Sequence, residues 1–162
     1  MGLIVLGVGD FDASNKPEDT IKTYALGSCV GVVMVDPKAR IVGMIHVALP
    51  DSKINPAKAK QHPGYFADTG IPFLIRDMQK LGCNSKGGGM IVKIAGGANI
   101  LDPNNTFSIG KRNVLAIKKI LWRLGMGVVA EDVGDSFSRT VSVELKTGKI
   151  EINCPGRGTW KL

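Results

Sequence analysis

Cys29 and His46 are the two side chains whose types and spacing suit a reaction. A thiol beside an imidazole is an activated nucleophile: the imidazole takes the proton and the sulfur attacks an electrophilic carbon. Each residue alone has an ordinary reading, since cysteine is among the most buried residue types and a histidine in an apolar run is commonly a hydrogen-bonded core residue. Their spacing changes the balance. Val30–Val35 and Ile41–Leu49 are apolar, β-branched runs separated by Asp36-Pro37-Lys38-Ala39-Arg40, which is turn chemistry and predicts a hairpin. A two-residue turn at Pro37-Lys38 faces Asp36 with Ala39, and that register sets Cys29 directly across from His46, Cβ atoms ~4.5–5.5 Å apart. A longer loop that takes in Arg40 shifts the register and removes the pairing. Gly27-Ser28, just before Cys29, permits close backbone approach and could aim N–H groups at a developing oxyanion. Spacing alone does not name the third group that orients the base.

Around this pair the chain reads as alternating short elements. Leu3–Val8 predicts a buried strand, residues 9–20 a polar surface loop, and residues 50–64 a longer polar loop containing three prolines. Residues 69–81 predict a helix: Ile71, Leu74, Ile75, Met78 and Leu81 share a face, Pro72 sits in the first turn and Gly82 stops it. Residues 111–124 predict a second helix, with Val114, Ile117, Ile120, Leu121 and Leu124 on an apolar arc and Lys111, Arg112, Lys118, Lys119 and Arg123 opposite. Leu115 and Trp122 lie on the side of the lysines; packing under a neighbouring loop is the preferred reading there, a partner interface the other. Met90–Ala95 and Val128–Glu131 predict strands, and alternation over 141–145 and 150–152 around Lys146-Thr147-Gly148-Lys149 predicts a second hairpin. Strands come in consecutive runs, which favours an α+β fold over a doubly wound sheet.

Composition sets the outer limits. The chain has 162 residues, 44% apolar and 22% charged, as expected for one globular domain over 1–162. No apolar run approaches the ~20 residues of a membrane span, so no membrane insertion is expected. The opening MGLIVLGVGD has neither the basic region of a secretory signal nor a myristoylation pattern. Three cysteines cannot all pair, and reduced thiols in a cytoplasmic protein are the expectation. Of 21 basic and 14 acidic residues, the half after residue 80 carries 12 basic and 6 acidic, so the excess is local. Net charge does not distinguish nucleic acid, an anionic surface and an acidic protein.

The blocks Thr23-Tyr24-Ala25-Leu26-Gly27-Ser28-Cys29-Val30 and His46-Val47-Ala48-Leu49-Pro50 resemble the signature of the chemoreceptor glutamine deamidases, the CheD family. The resemblance continues through Ala67-Asp68, Lys93-Ile94-Ala95-Gly96-Gly97-Ala98, Ile109-Gly110-Lys111-Arg112-Asn113, Glu131-Asp132-Val133-Gly134, Arg139 and Thr147-Gly148, covering about residues 3 to 153. It implies that Cys29 is the nucleophile, His46 the base and Thr23 the third member of a triad. It implies a mixed β-sandwich flanked by helices. The implied reaction converts selected glutamines on the cytoplasmic helices of methyl-accepting chemoreceptors to glutamate, with no cofactor. It further implies a CheC-type phosphatase of the response regulator as a partner, and with it an alternative function: a non-catalytic chemotaxis adaptor that binds and stimulates that phosphatase. Two positions depart from the family pattern. Phe66 stands where tyrosine is common, so any hydroxyl role there is lost, and Asp135 replaces a common glycine, so that turn is expected to differ.

The other motifs are weak. Cys83 reads as a loop thiol after a helix stop, Cys154 as part of a glycine-rich tail, and His62 stands alone in a Pro/Gly loop, so no metal site is expected. Neither a phosphate-binding G-x4-G-K-[S/T] loop nor a GxGxxG opens a helix, which argues against a nucleotide cofactor. Basic residues 111–123 lack a stacking or helix-turn-helix motif, so nucleic-acid binding is not expected. A monomer is expected.

Overall fold

Val30–Asp36 (β4) and Ile41–Val47 (β5) are continuous apolar runs because both their faces are covered, and all seven residues of β5 are buried. The computed structural model describes residues 2–83, 89–100, 104 and 107–162. Two five-stranded sheets stack face to face. The first contains Gly2–Leu6 (β1), Asp19–Leu26 (β3), Arg139–Glu144 (β8), Ile150–Cys154 (β9) and Gly158–Lys161 (β10), in the order β1-β3-β8-β9-β10. The second contains Phe11–Ser14 (β2), β4, β5, Ile91–Gly96 (β6) and Val128–Val133 (β7), in the order β2-β5-β4-β6-β7. The pairs β1/β3 and β6/β7 are parallel and the rest antiparallel, so both sheets are mixed.

Three helices follow the sequence breaks: Pro56–Gln61 (α1), Ala67–Lys80 (α2) and Ile109–Arg123 (α3). The second sheet is therefore a middle layer. Val33, Val42, Met44 and Ala95 on one face meet Ile21, Leu26, Val141, Val143 and Ile152 of the first sheet. Val32, Ile45, Val47 and Ile94 on the other face meet Ile71, Leu74 and Met78 of α2 and Ile117 and Leu121 of α3. This is the α+β, helix-flanked sandwich expected from the sequence, and the two long helices lie within two residues of their predicted bounds.

Several expectations are corrected. Residues 9–20 are not a plain loop, since they contain β2 and the start of β3. Residues 50–64 carry α1, with Asn55 capping its first turn through Lys58 N–H, and two short 3-10 turns. The glycine-rich tail forms β10 against β9, and Cys154 closes β9 as a buried residue. Cys83 is likewise buried, in the cluster under α2, because the chain turns back inward after Gly82. Among the described residues, Leu115 and Trp122 are not packed under a loop: Trp122 is 79% exposed and Leu115 54%.

The predicted hairpin register is also corrected. Asp36 pairs with Ile41, so the loop is the four residues Pro37–Arg40. The Asp36 carboxylate accepts from the N–H groups of Lys38 and Ala39, both at 3.1 Å, and Arg40 takes a left-handed φ of 57°. This loop moves the pairing so that His46 faces Gly31 rather than Cys29. The displacement is two residues, and side chains alternate with period two, so Cys29, the residue just before β4, stays on the side of the sheet that His46 faces and packs against the inter-sheet cluster.

Candidate active site

His46 is placed on β5 with its side chain in the layer between the sheets, 2% exposed. Its backbone is wrapped by the β1–β2 turn, where Gly9 N–H donates to His46 O at 2.9 Å and His46 N–H donates to Asp10 O at 3.0 Å. Thr23 comes from β3 of the facing sheet and is fully buried. Its Oγ1 lies 2.7 Å from His46 Nδ1 and 2.8 Å from the Leu6 carbonyl, which belongs to the neighbouring parallel strand β1.

This geometry fixes the tautomer. A threonine hydroxyl has one proton, and a carbonyl oxygen can only accept, so that proton goes to Leu6 O. Nδ1 of His46 must therefore carry the hydrogen and donate it to Thr23 Oγ1. The lone pair is left on Nε2, which is buried and, among the described residues, has no hydrogen-bond partner. Burial lowers the His46 pKa to about 4, with the charge of Asp10 pulling weakly the other way, so the imidazole is neutral at physiological pH. A neutral imidazole with a bare Nε2 has a free lone pair that can accept a hydrogen bond or a proton.

Cys29 sits just ahead of β4, half-buried against the inter-sheet cluster. Burial raises its pKa above the ordinary thiol value, while its own backbone N–H pulls it part of the way back. The resting pair is thus a thiol and a neutral imidazole, not a preformed thiolate–imidazolium. Among the described residues, the sulfur forms no hydrogen bond with His46 Nε2.

Backbone contacts pin the turn carrying Cys29. Ala98 N–H donates to Gly27 O at 2.8 Å and Gly97 N–H to Cys29 O at 2.9 Å. A side chain at Gly96 would collide with the Cys29 carbonyl, and one at Gly110 would collide with the carbonyl of Gly97, so the end of β6 and the start of α3 close tightly on the turn. Beside it opens a cleft of about 710 Å³ lined by Gly27, Ser28, Cys29, Ala98, Lys111 and Asp135 among others. Cys29 stands at its wall.

Residues 48–154 match the family model described as CheD chemotactic sensory transduction. A protein of Syntrophotalea carbinolica named probable chemoreceptor glutamine deamidase CheD is 56% identical over 162 residues, covering 100% of both chains. The chain belongs to the CheD family. A CheD protein of Syntrophus aciditrophicus, named in the same way, is 45% identical over 96% of each chain. Among solved structures, the hypothetical protein YfiH of Bacillus licheniformis aligns with 78% of this chain and 50% of its own, at 14% identity and a TM-score of 0.46.

Two groups that matter in this CheD chain received no role from sequence reasoning. Asn113, on the buried face of α3, donates from Nδ2 to Ser28 O and to Ala48 O, both at 3.0 Å. It ties the turn carrying Cys29 to the end of the strand carrying His46. The available signal was an asparagine in helical register with Ile117 and Leu121, at a position where only core residues belong. Arg139, also buried, donates from Nε to Asp132 Oδ1 at 2.8 Å and from Nη1 to Gly134 O at 3.0 Å, while Trp160 Nε1 donates to the other Asp132 oxygen at 2.6 Å. This network holds the Val133–Asp135 wall of the cleft.

The two departures from the CheD pattern are now explained. Phe66 is fully buried, its ring packed edge-on against Tyr65 with centroids 5.4 Å apart, as a purely apolar side chain can be. Asp135 takes a φ of 59° and its carbonyl accepts from Asn99 N–H at 2.8 Å, so the turn keeps the left-handed backbone that glycine would supply. Among the described residues, no three His, Cys, Asp or Glu side chains gather as a metal site would require.

Substitutions at two positions test the scaffold. Thr23→Val should remove the acceptor for Nδ1–H and lower kcat/KM about 10–100-fold, while Thr23→Ser recovers most of the loss. Steady-state kinetics of the two variants check this. Asn113→Ala should cost about 1–3 kcal/mol in urea unfolding, because the buried Ala48 carbonyl and the part-buried Ser28 carbonyl lose their donor, and should lower kcat more than it raises KM.

Proposed function

We propose that this protein is a protein-glutamine deamidase with Cys29 as nucleophile, His46 as general base and acid, and Thr23 as the residue that orients His46. The observation that carries the reading is the Leu6–Thr23–His46 hydrogen-bond chain, which leaves Nε2 bare on the same face as Cys29 at the wall of an open cleft. His46 takes the thiol proton as Sγ attacks the carboxamide carbon of a glutamine side chain. N–H groups of the Gly27–Cys29 turn stabilise the oxyanion, and His46 returns the proton to the departing ammonia. Water, deprotonated by His46, then attacks the thioester, giving glutamate and restoring the thiol. In net terms, glutamine and water become glutamate and ammonia, and no step calls for a cofactor.

The names of the relatives support a chemoreceptor as substrate, and the proposed site of reaction is the receptor's helical cytoplasmic domain. No described helix is long and apolar enough to cross a membrane. Incubating the purified protein with the cytoplasmic fragment of a chemoreceptor, then mapping Gln-to-Glu changes by peptide mass spectrometry, tests the proposal. Conversion at a small set of glutamines is the expected result. A fragment with every glutamine intact after prolonged incubation would overturn it.

A further inference from the structure

The outer face of α3 has no counterpart in the chemistry above. This helix carries five basic residues and no acidic one. At ~100° per residue, Lys111, Leu115 and Trp122 fall within a stripe about 40° wide, with Lys118 on one flank and Lys119 on the other. Leu115 and Trp122 are the exposed apolar groups of that stripe, and a tryptophan so exposed is unusual on a surface with nothing to cover it. Lys118 is engaged with Glu131 at 2.6 Å, whereas among the described residues Lys111, Lys119 and Arg123 form no ion pair.

The position of the stripe gives it meaning. Its first residue, Lys111, also lines the cleft beside Cys29, so cleft and stripe are one continuous surface. From Lys111 to Trp122 the helix advances about 16 Å, or three turns. We infer that this stripe is a second substrate-contact surface that takes an acidic α-helical segment of the same substrate protein, lying alongside α3 while the target glutamine enters the cleft. This rests on the deamidase reading. A helix fits better than an extended peptide, because apolar and basic groups repeat here at one-turn intervals along a straight axis, the pattern a facing amphipathic helix meets with its own i, i+4 rows. Trp122 supplies a large, rigid contact and the unpaired cations select carboxylates flanking it. Specificity for a few glutamines then comes from what lies two to three turns away on the substrate, as well as from the cleft.

The test compares two substrates: a chemoreceptor cytoplasmic fragment with its helices intact, and a short glutamine peptide that reaches only the cleft. Trp122→Ala should lower kcat/KM on the fragment about 10–100-fold, mainly through KM, and leave the peptide unchanged. Lys119→Glu with Arg123→Glu should lower it as well, with a loss that shrinks as salt is added. An unchanged kcat/KM on the fragment, or an equal fall on both substrates, would overturn the inference. If the wild-type protein deamidates neither substrate, the deamidase reading fails instead. Binding of the fragment to Cys29→Ala protein, with and without Trp122→Ala, still decides the role of the stripe: weaker binding without the tryptophan sustains it, and equal binding refutes it.

Discussion

Cys29→Ala is expected to abolish glutamine deamidation, with a loss of at least ~10³–10⁴-fold, while the protein stays folded. The substitution removes one sulfur from a half-buried position whose turn is held by backbone hydrogen bonds from Gly97 and Ala98 and by Asn113, none of which involves the thiol. Circular dichroism and thermal unfolding should therefore resemble wild type. A folded Cys29→Ala protein with near wild-type turnover would end the nucleophile assignment. Cys83 and Cys154 cannot substitute for it, since both are buried away from the cleft lining. Replacing either by alanine should leave turnover intact.

His46→Ala should be almost as damaging, and the double variant with Cys29→Ala should be no worse than the worse single one, because the two act as a unit. Losses that multiply would mean they act separately. The pH dependence gives a sharper test. Burial holds the His46 pKa at about 4 in the folded protein, against an ordinary 6.5. The base works only when neutral, so kcat/KM should stay level from neutrality downward and fall as pH drops through about 4. A fall centred near 6.5 would contradict the buried, neutral imidazole. Stability follows the same shift with a definite sign. Between pH 6.5 and about 4 the unfolded chain binds the proton that folded His46 refuses, so wild type loses stability as pH falls through that window, by roughly 3 kcal/mol in all. His46→Ala lacks this contribution, so its stability should decline less over the same range. Urea unfolding of the two proteins at matched pH values measures the difference.

Helices α2 and α3 were legible because their apolar positions repeat at helical spacing, and Ile71, Leu74, Met78, Val114, Ile117 and Leu121 are buried as expected, whereas Leu81 and Leu124 at the helix ends are exposed. Strand β3 was not. Its alternation breaks at a bulge between Thr23 and Leu26, where Ala25 adopts a left-handed φ of 54°, and its outward residues are polar. The four residues of β2 and the glycine-flanked β10 are too short to carry a period. The β4–β5 register turned on loop length, and the left-handed Arg40 that sets it has no signature in residue type. Cys29 and His46 could still be found from type and spacing, because an even displacement keeps both on one face. Thr23 could not be derived that way. Its contact with His46 crosses from one sheet to the other, and no local pattern encodes which residues meet between stacked layers; only family resemblance pointed to it.

The central claim is that the glutamine side chain passes through a thioester on Cys29, and interception by a second nucleophile tests it most directly. Wild-type protein, a chemoreceptor cytoplasmic fragment and increasing hydroxylamine should yield glutamyl hydroxamate and glutamate at the same residues, read by peptide mass spectrometry. The hydroxamate share should rise with hydroxylamine, and Cys29→Ala should form neither product. Glutamate appearing without hydroxamate at every hydroxylamine concentration would mean that water attacks the amide directly, and would contradict the covalent mechanism.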